Sequence, residues 1–281
     1  MTIEKSNITG FYEYLVSNEK SSATIEKYVR DVNAFNRWLS GRNLDKCRVL
    51  EYKAYVCKRY SISSVNSIIS SLNSFFNYLE CYGLRVKTLK VQKQIFINKD
   101  QELSKKEYEK LLDYAKKQGK IRLYFLMQTI CSTGIRISEL RFVTVEALDV
   151  GFAEIFCKGK IRAVILPTEL CKILKKYTAE QKIISGPVFV SKNGNPLNRS
   201  NIWNDMKSIC ASAGVSEVKV FPHNLRHLFA RSYYSAQKDV VRLADILGHS
   251  NVNTTRIYTM ESGEVHRKQI QSLGLIKSET T

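Results

Sequence analysis

AEIFCKGKIRAVILP, residues 153–167, decides what kind of fold this chain adopts. Two apolar-alternating runs flank Lys158-Gly159-Lys160, and a period of two on either side of a glycine-containing turn predicts a β-hairpin. Most of what surrounds it repeats with the helical period instead. The expected fold class is therefore mainly α with a small β-sheet (α+β).

Upstream, Ile25, Tyr28, Val29, Val32, Phe35, Trp38 and Leu39 recur at i, i+3, i+4, i+7, which is one buried helical face. Val65, Ile68, Ile69, Leu72, Phe75, Phe76 and Leu79 repeat the pattern, and Gly83 follows as a stop. A shorter helix is expected over 49–60. Residues 1–90 thus read as a helical bundle. The stretch RVKTLKVQKQIFINKDQE (85–102) is basic and lacks a helical period, and residues 91–103 are taken as an interdomain linker. Residues 104–281 form the second part, opening at Ser104 and Glu107 with the spacing of a capping box. Helices are expected at 104–117, 120–132 and 136–147 before the hairpin and near 168–180 after it. GPVFVSKNGNPL (186–197) suggests a short strand and a turn at Asn193-Gly194. Helices at 198–213, 223–236, 238–247 and 253–258 follow, with one more over 262–273.

The chain has 281 residues, 44 Lys and Arg against 26 Asp and Glu, and a formal charge of +18. The excess is spread, net +7 over residues 1–93 and +11 over the rest. A polyanion is the partner such a surface calls for, and nucleic acid is the first candidate. The apolar fraction of 44% supplies real cores and excludes a disordered polypeptide. No run of eighteen apolar residues offers a membrane span, and MTIEKSNITGFYEYL has no secretory apolar region. Seven cysteines without a C-x-x-C pair read as reduced, mostly buried thiols of a cytosolic protein. No paired Cys/His spacing and no acidic cluster is set up to hold zinc or magnesium, so neither metal nor cofactor is expected.

Phosphate-handling groups nevertheless accumulate. STGIRISEL puts Arg136 at the start of a helix with Glu139 three residues on. Lys158 sits at the hairpin tip. FPHNLRHLFA sets His223 and Arg226 on one helical face. His249 follows Gly248 at a helix end, and Tyr258 comes nine residues later. Singly, each is ordinary surface, core or capping chemistry. Together they supply metal-free phosphoryl transfer: guanidiniums for the non-bridging oxygens, a phenol as nucleophile, a base to deprotonate it and a lysine to protonate the leaving oxygen.

On TGIRISEL, CKGKIR, HNLRH and LGHSNVNTTRIYT, in that order, the chain resembles the tyrosine recombinases, or phage-integrase family, especially its short Xer-like members. TIEKYVRDVNAFNRWL in the bundle is similar to the family's core-binding domain. The resemblance implies an N-terminal helical core-binding (SAM-like) bundle and a catalytic domain closing around duplex DNA as a C-shaped clamp. It implies that Tyr258 attacks the scissile phosphate to give a 3′-phosphotyrosine and a free 5′-hydroxyl. Arg136 and Arg226 would clamp the phosphate, Lys158 protonate the leaving oxygen, His223 act as base, His249 hydrogen-bond the phosphate and Glu139 support the site. The hairpin is one residue shorter than the K-G-x-K-x-R form, which keeps Lys160 and Arg162 as alternatives to Lys158. Leu228 and Arg231 stand where smaller residues are frequent, a change expected in packing and not in chemistry.

The partners implied are double-stranded DNA with an inverted-repeat core site and three further copies of the chain. These would form a tetramer that exchanges strands through a Holliday junction and swaps C-terminal tails in trans. Accessory proteins are compatible with this, a membrane is not, and the expected location is the cytoplasm, at the nucleoid. Arg85, Lys87, Lys90 and Lys93, with Arg199, are the expected phosphate-backbone contacts. Asn66, Ser63 and Asn201 are candidates for facing a groove. Two rival functions remain: a type I topoisomerase using the same nucleophile, and a non-enzymatic DNA-binding regulator. A metal-dependent nuclease lacks its acidic ligands.

Overall fold

The computed structural model describes residues 2–90, 99–157, 160–191, 193–259, 267, 270–273 and 275, the side chains of Lys99, Cys157 and Lys160 excepted. Lys93, Lys158 and most of the expected tail helix lie outside the described residues. The chain divides into two units, Met1–Lys93 and Gln94–Thr281.

In the first unit, α1 (Lys5–Ser17), α2 (Ser22–Leu39), α3 (Lys46–Cys57) and α4 (Ile62–Tyr78) enclose one core. The two apolar stripes meet there: Val32, Phe35 and Leu39 of α2 and Val65, Ile69, Leu72, Phe75 and Phe76 of α4 are all buried. Asp31 interrupts the α2 stripe and is buried too. It is satisfied by Lys27 Nζ at 2.6 Å and Ser71 Oγ at 2.8 Å, a polar pin between α2 and α4.

After α4 the chain turns back along the bundle. Asn73 holds both backbone groups of Val86, and Asn66 both groups of Leu89, at 2.7–3.0 Å. Lys53 Nζ donates to the Lys87 carbonyl at 2.7 Å, and Lys46 to that of Arg85. The Asn66 amide is thus consumed by the backbone, which corrects the expectation that it faces a groove. An extended segment has no neighbouring strand here, and side-chain amides replace the missing ladder. The side chains of Arg85, Lys87 and Lys90 remain exposed.

The second unit opens with α5 (Lys105–Lys117), whose capping box is formed: Ser104 N–H donates to Glu107 Oε2 at 2.8 Å, and Glu107 N–H to Ser104 Oγ at 3.2 Å. Then come α6 (Ile121–Thr133), α7 (Val145–Val150), β1 (Phe152–Cys157), β2 (Lys160–Ile165), α8 (Thr168–Glu180), α9 (Arg199–Lys207), α10 (Pro222–Gln237) and α11 (Val240–Leu247). The hairpin pairs Phe152 with Ile165 through Cys157 with Lys160, antiparallel. Ala153, Ile155 and Val164 are buried in the main core of this unit, to which α5, α6, α8, α9 and α10 also contribute.

Four local expectations are corrected. Residues 136–147 are not one helix but a 3-10 turn over Ile137–Phe142 followed by α7. Val143 is extended and accepts from Val188 N–H at 2.9 Å, and Thr144 caps the next helix through Ala147 N–H at 3.2 Å. The expected strand in GPVFV is reduced to isolated bridges, Thr144 with Pro187 and Val190 with Pro196, although its turn is present with Gly194 at φ +76°. Residues 253–258 form part of two short 3-10 turns, Val252–Thr254 and Arg256–Tyr258. Among the described thiols, Cys171 and Cys210 are buried, whereas Cys47 and Cys57 are exposed, so mostly buried is wrong. Among the described residues no helix is long and apolar enough to cross a membrane.

Candidate active site

Two helix ends and one helix start build the site. α6 stops at Gly134, whose φ of +63° suits glycine. A Cβ there would stand 2.5 Å from the Phe229 ring and 2.9 Å from Leu247. That close approach brings the Gly134 carbonyl to Arg226, which rises from the second turn of α10 and donates Nη1 to it. Arg226 Nη2 donates to the Leu247 carbonyl at 2.7 Å and to His249 Nε2 at 3.0 Å. The guanidinium is only 1% exposed, and its Nε–H is buried without a partner among the described residues. Burial first, then the charge of Arg136, pushes its pKa down to about 10.

Arg136 leaves α6 two residues after Gly134. Its backbone N–H donates to Glu139 Oε2 at 2.9 Å, its Nη1 to Glu139 Oε1 at 3.0 Å, and its Nη2 to the Gly248 carbonyl at 3.3 Å. Glu139 is buried and also receives Arg162 Nη2 at 2.6 Å. Burial alone raises the pKa of such a carboxyl. The Arg136 backbone N–H, the Arg162 charge and the Arg136 side chain outweigh it, so Glu139 is held below its ordinary value and stays ionised.

α11 ends on Gly248 at φ +62°. His249 follows, with Nε2 facing Arg226 and Nδ1 2.8 Å from Thr255 Oγ1. Desolvation, then Arg226 and Arg136, bring the pKa of His249 down to about 4. Tyr258 is 5% exposed, packed among Ala230, Leu243 and Leu247. Its ring lies 5.2 Å from His227 and 6.5 Å from His249. Burial raises its pKa, and the Arg226 charge opposes only part of that, so in this arrangement the phenol keeps its proton.

His223 sits in the first turn of α10, exposed, with its ring 4.6 Å from that of His227. Partial desolvation, then Arg226, Arg136 and Arg199, hold its pKa below the ordinary value. Arg136 pairs with Glu139 and Arg226 with His249, the two pairs being linked through the Gly248 and Leu247 carbonyls at the end of α11, while Tyr258 meets the His249 and His227 rings and His223 meets that of His227. Arg199 is exposed at the first position of α9, its side chain turned to solvent. Three residues were missed or undervalued by sequence. His227 follows His223 by one turn and so shares its face, a spacing that could have marked it. Its Nε2 is buried without a partner among the described residues, and desolvation, then His223, brings its pKa down to about 4. Thr255, fully buried, carried no pattern that could mark it. Arg162 sits two residues from inward Val164, so strand alternation already turns it inward.

The arrangement gives a buried cationic floor, one carboxylate and two desolvated neutral imidazoles beside a phenol. Such a set can hold a tetrahedral phosphate by two guanidiniums and set a hydroxyl against it.

Residues 101–264 match the family described as the phage integrase family, and residues 8–81 match its N-terminal SAM-like domain. The chain is similar to the tyrosine recombinase XerA of Pyrococcus furiosus, 28% identical over 289 aligned residues that cover 99% of this chain and 97% of the relative. Its similarity to the tyrosine recombinase XerD of Pseudomonas aeruginosa is 28% over 293 aligned residues, 97% of each chain. Among solved structures, XerA recombinase aligns with a TM-score of 0.52 at 26% identity, covering 97% of this chain and 98% of that one. XerH bound to palindromic difH, a post-cleavage complex, gives 0.73 at 19% identity over 94% of each. A lambda integrase tetramer bound to a Holliday junction gives 0.72 at 18% identity, over 90% of this chain and 76% of that one.

Proposed function

The chain belongs to the phage integrase family, and from that premise we infer that it is a site-specific DNA recombinase of the tyrosine type, which cleaves and rejoins duplex DNA without metal or ATP. The observation that carries the reading is that the Arg136–Glu139 and Arg226–His249 pairs are both seated on the end of α11, through the Gly248 and Leu247 carbonyls, with the Tyr258 ring 6.5 Å from His249.

In this reading Arg136 and Arg226 bind the non-bridging oxygens of the scissile phosphate, and charge growing on them in the transition state meets donors already in place. Tyr258 Oη attacks phosphorus, its proton passing to His223. The O–P bond of a 3′-phosphotyrosine forms as the bond to the 5′-oxygen breaks, and that oxygen takes a proton from Lys158. His249 completes the phosphate shell, and Glu139 keeps Arg136 aimed. The ester energy stays in the protein–DNA link, so an incoming 5′-hydroxyl rejoins the strand by reversal. Because Tyr258 is buried and protonated in the free chain, DNA binding must also bring it to the phosphate.

DNA and further copies of the chain are the partners, in keeping with relatives crystallised on DNA and as a tetramer on a Holliday junction. The finer form of the proposal is a core site of inverted repeats, four protomers, and tails exchanged in trans, with accessory proteins compatible, acting in the cytoplasm at the nucleoid. Residues 1–90 grip the core site, and Arg85, Lys87, Lys90 and Lys93, with Arg199 of the catalytic unit, meet the phosphate backbone.

The test uses nicked duplexes carrying a site selected from random-sequence DNA by the protein itself. Wild type forms a covalent 3′ adduct on denaturing gels and Tyr258→Phe forms none while still shifting the DNA. Shifted but uncleaved DNA with both proteins would give the regulator reading the lead. Relaxation of a supercoiled plasmid lacking the site would favour the topoisomerase.

A further inference from the structure

α11 ends on three consecutive carbonyls, and each receives one guanidinium. Ile246 accepts from Arg162 Nη1 at 3.0 Å, Leu247 from Arg226 Nη2 at 2.7 Å, and Gly248 from Arg136 Nη2 at 3.3 Å. The last carbonyls of a helix have no partners within it and carry partial negative charge, so they are natural seats for cations. Two of these arginines form the phosphate clamp proposed above. Arg162 is the third, and it comes from a different part of the fold.

Arg162 lies on β2 opposite Ile155, facing inward. Its second hand is the 2.6 Å ion pair with Glu139 Oε2, whose other oxygen takes Arg136 Nη1. Its stem lies against Gly248: a Cβ at position 248 would stand 2.5 Å from Arg162 Cδ and 2.8 Å from Nε. One planar side chain therefore touches the Arg136–Glu139 turn, the end of α11 and the glycine before His249.

We propose that Arg162 is a positioning residue of the cleavage reaction, a crossbar between the Glu139 carboxylate and the Ile246 carbonyl that holds Arg136 and Arg226 at the spacing of one phosphate. The proposal rests on the recombinase reading. Arg136 and Arg226 carry like charge and are seated on adjacent carbonyls at the end of α11, so their spacing depends on how that helix end is held against the Arg136–Glu139 turn. Arg162 binds the Glu139 carboxylate at Oε2 with one nitrogen and the Ile246 carbonyl with another, which ties the helix end to that turn. A lysine keeps the charge but has no fork, so it reaches Glu139 or Ile246 and not both. The reacting groups tolerate little displacement, a misplacement of about 1 Å being enough to cost on the order of 10²-fold in rate.

The experiment compares wild type, Arg162→Lys and Gly248→Ala; the last keeps Arg162 but displaces its stem. For each, the folded fraction is taken from a thermal scan, DNA affinity from a shift assay, and adduct formation is timed on two nicked duplexes. One carries the ordinary scissile phosphate, the other a methylphosphonate there, which removes the non-bridging charge that the clamp answers. Both variants should bind DNA within about threefold of wild type and form adduct on the order of 10²-fold more slowly per folded molecule. On the methylphosphonate most of that deficit should vanish, because a misaligned clamp matters little where there is no charge to meet. Wild-type rates in the variants, equal deficits on both substrates, or a deficit that only tracks the folded fraction would each overturn the crossbar. A wild-type protein that makes no adduct at all would instead overturn the recombinase reading.

Discussion

Arg226 donates an N–H to His249 Nε2 at 3.0 Å, and this single bond decides the state of the imidazole. An arginine is only a donor, so Nε2 carries a lone pair. The ring proton is then on Nδ1 and is given to Thr255 Oγ1 at 2.8 Å. Thr255→Val keeps the shape and removes that acceptor. Adduct formation should fall by roughly tenfold, the scale of losing one orienting hydrogen bond, with DNA affinity unchanged in a shift assay.

The same desolvation makes the fold sensitive to acid. His227 and His249 have folded-state pKa values near 4, against an unfolded value near 6.5. Between these values the unfolded chain binds protons that the folded chain does not, so stability is full above about pH 6.5 and falls as pH drops towards 4. Urea midpoints measured from pH 7 to 4.5 should decline, and His227→Phe should flatten the decline by about one proton. An identical slope in that variant would remove His227 from the account.

The two clamp arginines should separate in their cost to folding. Arg226 is buried and satisfies the Gly134 carbonyl, the Leu247 carbonyl and His249. Arg226→Ala leaves all three without it, a loss of about 3 kcal/mol or more. Arg136 has a side chain 36% exposed, so Arg136→Ala should cost about 1 kcal/mol. Both should abolish adduct formation. Chemical denaturation of the two variants side by side provides the check.

Gly134→Ala should be among the most damaging single-methyl additions in the chain. Its φ of +63° penalises a side chain, and the added Cβ meets the Phe229 ring at 2.5 Å. Strain and overpacking together should cost about 2–4 kcal/mol in a denaturation curve.

Arg85, Lys87 and Lys90 project from a backbone that Asn66, Asn73 and Lys53 tie down. If each meets one phosphate, replacing all three with alanine should lower the slope of log affinity against log salt by about 0.9 for every phosphate no longer neutralised. An unchanged slope would return them to ordinary solvated charge.

Of the helices of the first unit, α2 and α4 were legible because their stripes are long, seven apolar positions over 25–39 and seven over 65–79, whereas α1 (Lys5–Ser17) was not singled out. The hairpin was legible from alternation alone. What misled was the segment after Arg136, where Val143 looks helical by period but is drawn out by its backbone bond to Val188, a partner 45 positions away. Asn66 misled for a similar reason, since only the return of Leu89 along α4 reveals what its amide does. In the site, three of the four motif blocks named residues that the fold brings together around Arg226, Lys158 of the remaining block lying outside the described residues, whereas Arg162 acts through contacts to two other segments and Thr255 through a turn that folds back on His249. Local pattern cannot register such contacts, because each depends on where α11 ends.

α11 has a further consequence for how the enzyme is turned on. Its last three carbonyls anchor Arg162, Arg226 and Arg136, and its chain runs on through His249 to Tyr258, eleven residues past its final leucine. Anything that shifts this short helix moves phosphate receptor and nucleophile at once. Phosphate receptor and nucleophile therefore share one mechanical support, so a displacement of this helix end that disturbs the one is transmitted to the other.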